Sequence, residues 1–418
     1  VRFVARCFAA AILAVAAVAC SNVGGSGGAP VSPTITESLA RKSPGPTRGF
    51  QQLFVFQNAT FGEYPISGLL VDGTGNIFGL TQYGGGSDNC GTLFELVPAE
   101  GGYTETVLHN FSNSIDGCQP DGAPVRDSAT GDLFVTTTEG GSGQDGTLVQ
   151  FMPTSGGYQE SALYSFQEGS GGFPHGRVAV TASEVYVVAT QDGEKGIGSL
   201  IGLTKTALQQ NVVYQFTGPN GGYPVGGVIA DSNGAIYGTT TIGGAYNDGI
   251  VFKFMPNQNG GSETILWNFG ATENDGTGPL SDPLLLDESG AIYGTTSAGG
   301  TYNQGTVFKL SPSGSDYSET VLHSFGGSFD GAEPLAGVVR VGNDLWGTTV
   351  YGGGKPCACG TIFSLSMSGA HYRRRLSFQG LRNGSQPYGG LFWDGQALYG
   401  PTLVGGSANA GSIFRYVP

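Results

Sequence analysis

The chain has 418 residues and a formal net charge of −14, which argues against a nucleic-acid partner, because such partners select basic stripes. Glycine supplies 75 residues, about 18% against a usual ~7%, while charged residues supply 12% against a usual ~25%. Collagen is excluded by the absence of a Gly-X-Y period, and plain disorder by 24 Phe and 18 Tyr recurring in register with Val, Ile and Leu.

At the N-terminus, Arg2 and Arg6 precede "CFAAAILAVAAVA", an apolar run too short to span a bilayer as a permanent helix. Val1 reads as the product of a non-ATG start codon. "AVAC" places small residues before Cys20 and resembles a bacterial lipobox, although Ala17 stands where leucine is favoured. The expectation is a signal peptide over 1–19 and a lipidated Cys20; the alternative is plain cleavage and a secreted soluble protein. Removing residues 1–19 takes away Arg2 and Arg6 and no acid, which moves the charge from −14 to −16. Residues 20–48 are rich in Gly, Ser and Pro without periodicity and read as a flexible tether.

From there a repeat governs the chain. A motif of Leu, an aromatic or His, any residue and Phe ends at Phe56, Phe111, Phe166, Phe216, Phe269 and Phe325, with a weaker copy at Phe378, in steps of 50 to 56 residues. Each step holds four short apolar runs. In the fourth they are "VGGVIA" (strand a), "AIYGTT" (strand b), "GIVFKF" (strand c) and "ETILWNF" (strand d), separated by Gly and Asn turns, with "MPNQNGG" expected between c and d. Four strands in fifty-odd residues make one propeller blade. Strand b has seven copies: "NIFGLT", "DLFVTTT", "EVYVVAT", "AIYGTT" twice, "DLWGTT" and "ALYGPT". The third repeat is degenerate but still counts as a blade. The last unit has strands a, b and c, and the missing d stands at the front as "QQLFVF". The expected fold is all-β, a seven-bladed propeller over 49–418, with blade 7 taking its outer strand from residues 51–56.

The consensus P-x-x-G-L-x-x-D-x-x-G-x-x-Y-G-T-T-x-x-G-G-x-x-x-x-G-T-V-F resembles the GloVer tandem repeat of bacterial extracellular proteins. It covers residues 51–418 and is strong in five of the seven units. The resemblance implies architecture and an exported location, with no established chemistry. The Gly-Gly after strand b is also similar to kelch repeats, whose Trp is absent here.

In a propeller the d-to-a and b-to-c loops share one face. Asp116, Asp275 and Asp330 lie in d-to-a loops, each before Gly. They read either as carboxylates for a cation or sugar hydroxyls, or as Asp-Gly turn chemistry, the favoured reading. Asp72, Asp231, Asp287 and Asp394 precede hairpin glycines on the opposite face and read as structural. Asn89, Asn247, Asn303 and Asn409 read as left-handed turn residues. Tyr83, Tyr246, Tyr302 and Tyr351 follow strand b and are candidates for sugar stacking or protein contact. His109 and His323 share a slot with Tyr164, Tyr214 and Trp267, so packing is expected there. Arg373, Arg374 and Arg375 read as charges that blunt a strand edge.

Cys90 and Cys118 belong on one face of neighbouring blades and are expected to form a disulfide. Cys357 and Cys359 are expected to form a local one, with a metal or redox pair as the rival. No metal-ligand spacing, nucleophile elbow or P-loop occurs, so no cofactor, metal or catalytic residue is expected. The favoured function is a monomeric, lipid-anchored surface module that binds a glycan or protein without catalysis, with membrane contact only through the lipid. The alternatives are a hydrolase or lyase acting on polysaccharide with loop carboxylates as acid and base, and a structural surface protein.

Overall fold

The computed structural model describes residues 48–418, except 58, 59, 168, 170, 192–194, 258, 259, 327, 328 and 356. The expected signal segment, Cys20 and the tether up to residue 47 lie outside the described residues. Every regular element among the described residues is a β-strand, and the strands form seven antiparallel blades of four main strands. Blade 1 is Leu70–Val71, Ile77–Thr81, Thr92–Ala99 and Gly102–Asn110. Blades 2 to 6 span 118–165, 172–215, 229–268, 276–324 and 339–377. The degenerate third repeat is a complete blade.

Blade 7 closes the ring as expected. Gly49–Val55 pairs antiparallel with the last strand, Ser412–Val417, from Gly49 opposite Val417 to Val55 opposite Ser412. The expected start at residue 51 extends by two residues. The turn between c and d in blade 4 is shorter than "MPNQNGG" suggested, because Met255 pairs with Ser262 and Pro256 with Gly261. Pro256 is tolerated beside the outermost strand, where the ladder is already ending.

Strand b is buried along almost its whole length; all five residues of Ile77–Thr81, Ile236–Thr240 and Leu398–Thr402 are buried. It lies between strands a and c and is covered on both faces by neighbouring blades, so it reads as a continuous apolar run with Thr. The Thr hydroxyls are satisfied inside: Thr81 meets Thr92 at 2.9 Å, Thr137 meets Thr147 at 2.8 Å and Thr349 meets Thr361 at 2.8 Å. The repeat Phe at the end of strand d is buried in all seven blades. Its N–H donates to the carbonyl of the glycine just before strand c, as in Phe111 to Gly91 at 3.0 Å and Phe378 to Gly360 at 3.0 Å.

That glycine also makes the joint between blades. Gly91 has φ 96°, and a Cβ there would lie 2.2 Å from the Thr81 carbonyl oxygen and 2.7 Å from Cδ of Pro120 in the next blade. The same contact recurs around the ring and closes between Gly411 and Pro65. Only glycine allows both the left-handed turn and the close approach of the proline.

Strands a converge on the axis. A Cβ at Gly122 would meet the Gly176 carbonyl oxygen at 2.2 Å, and one at Gly176 would meet the Gly227 nitrogen at 2.3 Å. Gly390 of blade 7 lies near the Asp282 carbonyl of blade 5 and Ala336 of blade 6. The inner strands therefore close tightly around a narrow centre.

Candidate functional site at the mouth of the ring

In each blade one proline stands near the start of strand a or ahead of it, and its neighbours share one burial pattern in every blade. The proline and the second residue after it are buried, whereas the residue between them is partly exposed. This intervening set is Ile66, Asp121, His175, Val225, Leu280, Leu335 and Tyr388, and members from neighbouring blades meet, as Asp121 and His175 do. Two residues deeper stand Gly68, Ala123, Arg177, Gly227, Asp282, Gly337 and Gly390. Five of these are small. Arg177 and Asp282, of opposite charge, fill the space the small residues leave.

The polar side of this mouth is a connected cluster. His175 Nδ1 lies 2.6 Å from Asp121 Oδ2, across the joint between blades 2 and 3. Asp121 keeps 27% side-chain exposure and His175 keeps 31%, so both remain open to solvent. Burial works to raise the Asp121 carboxyl, but the His175 hydrogen bond and charge, with the Gly122 and Gly176 N–H groups, outweigh it and hold the carboxyl below its ordinary range. Below, Asp282 accepts the Arg177 backbone N–H at 3.0 Å. Burial pushes the Asp282 carboxyl up to about 6, while the Arg177 charge pulls it down and the Asp121 charge raises it. Arg177 Nε and Asp282 Oδ1 are buried without a protein hydrogen-bond partner. Burial raises the Tyr388 hydroxyl, and Tyr351, Glu333 and Asp121 act on it electrostatically in the same direction.

Above this layer is a second ring, formed by the residue before each proline. Tyr64, Gln119, Phe173, Tyr223, Gly278, Glu333 and Gln386 all adopt left-handed φ, between 49° and 59°. Each donates its N–H to a carbonyl of the preceding blade, such as Tyr64 to Ala410 at 2.9 Å and Tyr223 to Ile197 at 2.7 Å. Six of the seven carry a side chain in a conformation that costs it energy. The residues that leave strand b join this ring: Tyr83 packs edge-on against Tyr64 at 6.1 Å, and Glu139 accepts from Gln119 Nε2 at 3.2 Å. Burial first, then Glu139 and Tyr64, raise the Tyr83 hydroxyl.

The candidates from sequence divide into separate groups. Tyr83 and Tyr351 are half-buried at the mouth, whereas Tyr246 and Tyr302, at 54% and 62% exposure, lie beyond the Gly-Gly on the loop tips. The four occupy two different repeat positions, so the structure does not gather them. Asp116, Asp275 and Asp330 lie at three different blade joints. Each accepts the N–H that opens its own loop, from Ser112 at 2.7 Å, Ala271 at 3.1 Å and Gly326 at 3.2 Å. Asp231 and Asp287 cap their hairpins through N–H groups of Asn233 and Ala235, and of Ser289 and Ala291. Asn89, Asn247, Asn303 and Asn409 have φ of 55°, 64°, 52° and 57°. Arg373–Ser377 is the outermost strand of blade 6, with Arg373 and Arg374 exposed. Cys90 bonds Cys118 with Cα atoms 4.4 Å apart, and Cys357 bonds Cys359.

Packing alone does not describe the His109 and His323 slot. His109 Nε2 contacts Asp116 Oδ2, and His323 Nε2 lies 3.0 Å from Asp330 Oδ2. Asp121, His175, Arg177, Asp282 and Tyr388 were not singled out as a site from sequence. Their partners are 54 and 105 residues apart. The signal that could have found them is positional: they are the charged or aromatic members of two columns otherwise filled by aliphatic residues and glycine. Two surface clefts lie elsewhere, one along Lys253, Met255 and Tyr317 on the outer strands and one along Ala182–Glu184 and Asp231–Gly234 at the opposite hairpins.

Among solved structures, the chain is similar to the extracellular domain assigned to a hybrid two-component system of B. thetaiotaomicron, with 13% identity and a TM-score of 0.54. That match covers 88% of this chain and 40% of the other, so the chain spans about two fifths of that protein's length. It is also similar to a protein assigned as a 6-phosphogluconolactonase from Bacteroides fragilis, with 14% identity, a TM-score of 0.51 and coverage of 79% and 87% of the two chains. At such identities the likeness concerns the fold. No curated protein matches the chain. The model of the Gloeobacter/Verrucomicrobia repeat matches residues 67–283 and 280–418, and the chain belongs to this repeat family.

Proposed function

We propose that the protein is an exported binding module that holds a glycan at the mouth of the ring, without catalysis. The observation that carries this reading is the meeting of rings and acids near the strand-a prolines: Tyr64 and Tyr83 with Glu139, and Tyr351 and Tyr388 with Glu333 and with Asp121, which pairs with His175. Aromatic faces stack on the C–H faces of sugar rings, and carboxylates accept hydroxyl protons. Left-handed backbone at Tyr64, Phe173 and Tyr223 costs each about 1–3 kcal/mol, a strain that persists where side-chain placement has a use. The leader-like residues 1–19 and the lipobox-like Cys20 support export with a lipid anchor.

The test is a binding screen of the full chain, purified in detergent, against polysaccharides and envelope extracts, with product analysis of the same samples. Binding without shortening of the glycan, weakened at least tenfold by Tyr388→Ala and by Tyr83→Ala, is expected. Tyr246→Ala, on a loop tip, should change little. Shortened or unsaturated products that vanish with His175→Ala would replace this reading with the hydrolase or lyase, with the His175–Asp121 pair as acid and base.

A further inference from the structure

We infer that the joint between blades 1 and 2 holds a divalent transition-metal site built from His109, Asp116 and Glu160. The ligand atoms of these three residues all lie within 4.8 Å of one another. They come from strand d of blade 1, the loop that follows it, and strand d of blade 2. A cation of the zinc class sits about 2.0–2.2 Å from nitrogen and carboxylate ligands, so small side-chain movements close the set around it.

The surroundings orient each ligand. Asp116 Oδ1 accepts the Ser112 N–H at 2.7 Å, which directs Oδ2 to His109. The Asp116 carbonyl is fixed by the Thr147 hydroxyl at 2.7 Å, and two residues on, Cys118 is tied to Cys90. The His109 ring is held edge-on between Phe111 and Phe151, with centroids 5.0 Å from each. Such outer support fixes metal ligands in their working orientation.

The other joints of the same ring supply the second argument. Where blade 6 meets blade 5, the position of Glu160 is taken by Tyr372. Its hydroxyl donates to Asp330 while its ring stacks on His323 at 3.7 Å. Where blade 4 meets blade 3, Tyr214 donates to Glu263 at 2.6 Å. Each of those carboxylates has a neutral hydroxyl donor. At the joint of blades 1 and 2, two carboxylates face one imidazole. A cation neutralises that pair. One imidazole and two carboxylates suit Zn²⁺ or Mn²⁺, whereas Ca²⁺ needs six or more oxygens. His109 keeps 22% side-chain exposure, which leaves the remaining coordination positions to water. The cation would clamp one blade to the next, outside the axial mouth.

The test uses the full chain in detergent, titrated with Zn²⁺ and separately with Mn²⁺. His109→Tyr and Glu160→Gln are suitable variants, because Tyr164 and Gln210 already occupy these slots at another joint. The expected result is one site in the wild type that both variants weaken at least tenfold, with a metal-dependent rise in Tm that both variants abolish. His323→Tyr should leave both unchanged. Absence of a stoichiometric site for either ion, or binding that survives both variants, would overturn the assignment.

Discussion

Gly79 stands directly opposite Phe94, and the Phe94 ring lies over it: a Cβ on Gly79 would sit 2.5 Å from Phe94 Cζ. The pair recurs as Gly238 with Phe252, Gly294 with Phe308, Gly347 with Phe363 and Gly400 with Phe414. In the other two blades the same positions hold Val135 with Val149 and Val187 with Ile201. The volume is thus shared out in two ways, glycine under a large ring or two β-branched side chains of middle size. Cores conserve total volume more strictly than the identity of either partner.

This exchange can be tested in blade 6. Gly347→Val would drive a Cβ to within 2.6 Å of Phe363 Cζ and is expected to cost about 2–4 kcal/mol. Phe363→Val leaves a cavity and is expected to cost about 3 kcal/mol. Together they recreate the blade 2 arrangement, so the double variant should lose at least ~1–2 kcal/mol less than the sum. Urea unfolding of the four proteins measures the coupling; simple additivity would show that the two arrangements are not equivalent.

The same residues explain how far the sequence could be read. The fold was legible because each blade repeats its turn glycines, its buried Phe and its strand b, and because the unpaired fourth strand at the start matches the gap at the end. The site was less legible. Repetition hides the positions where blades differ, and Asp121, His175, Arg177 and Asp282 are such differences. Their meeting depends on strands converging at an axis, and no local spacing encodes that. The loop aspartates were visible because Asp-Gly is a local signal, and their hydrogen bonds to their own loops answer to that local chemistry.

Tyr223 separates strain from use. Its φ is 49°, a region that glycine enters freely and tyrosine does not. Tyr223→Gly removes the penalty, although the unfolded chain gains entropy, so stability should stay within about 1 kcal/mol of wild type. Glycan binding should nonetheless fall at least threefold if the ring at the mouth contacts the ligand. Unchanged binding together with raised stability would count against a role for Tyr223 in recognition.

The disulfide between Cys90 and Cys118 joins residues 28 apart and ties blade 1 to the loop that enters blade 2. Closing that loop is worth about 3–4 kcal/mol in the chain-entropy account. Replacing both cysteines with Ala should lower stability by about that amount, and a reducing agent should have the same effect on the wild type only. Cys357→Ala with Cys359→Ala closes almost no loop and should cost less than 1 kcal/mol. Denaturant midpoints with and without reductant distinguish these outcomes.

Glu105 makes the ring sensitive to pH. It occupies in blade 1 the strand-d slot that Glu160, Glu263 and Glu319 occupy in blades 2, 4 and 5, and its Oε1 is buried without a hydrogen-bond partner. Burial pushes its carboxyl up to about 8 from an ordinary 4.5. Between those values the folded protein holds a proton that the unfolded chain releases. The stabilising contribution is therefore complete below pH 4.5 and is lost as pH rises toward 8. Glu105→Gln keeps the shape and removes the titration. The variant should match the wild type near pH 5 and exceed it at pH 8.5, by an amount on the order of 1–3 kcal/mol. Glu263, raised to about 7, and Glu319, raised to about 8 by burial and by Asp275, act in the same direction. The triple Gln variant should therefore have a flatter stability profile than any single one. Denaturant unfolding from pH 4.5 to 9 measures this directly; a wild-type stability that does not fall over that range would show that the joint admits enough water to keep these carboxyls ordinary.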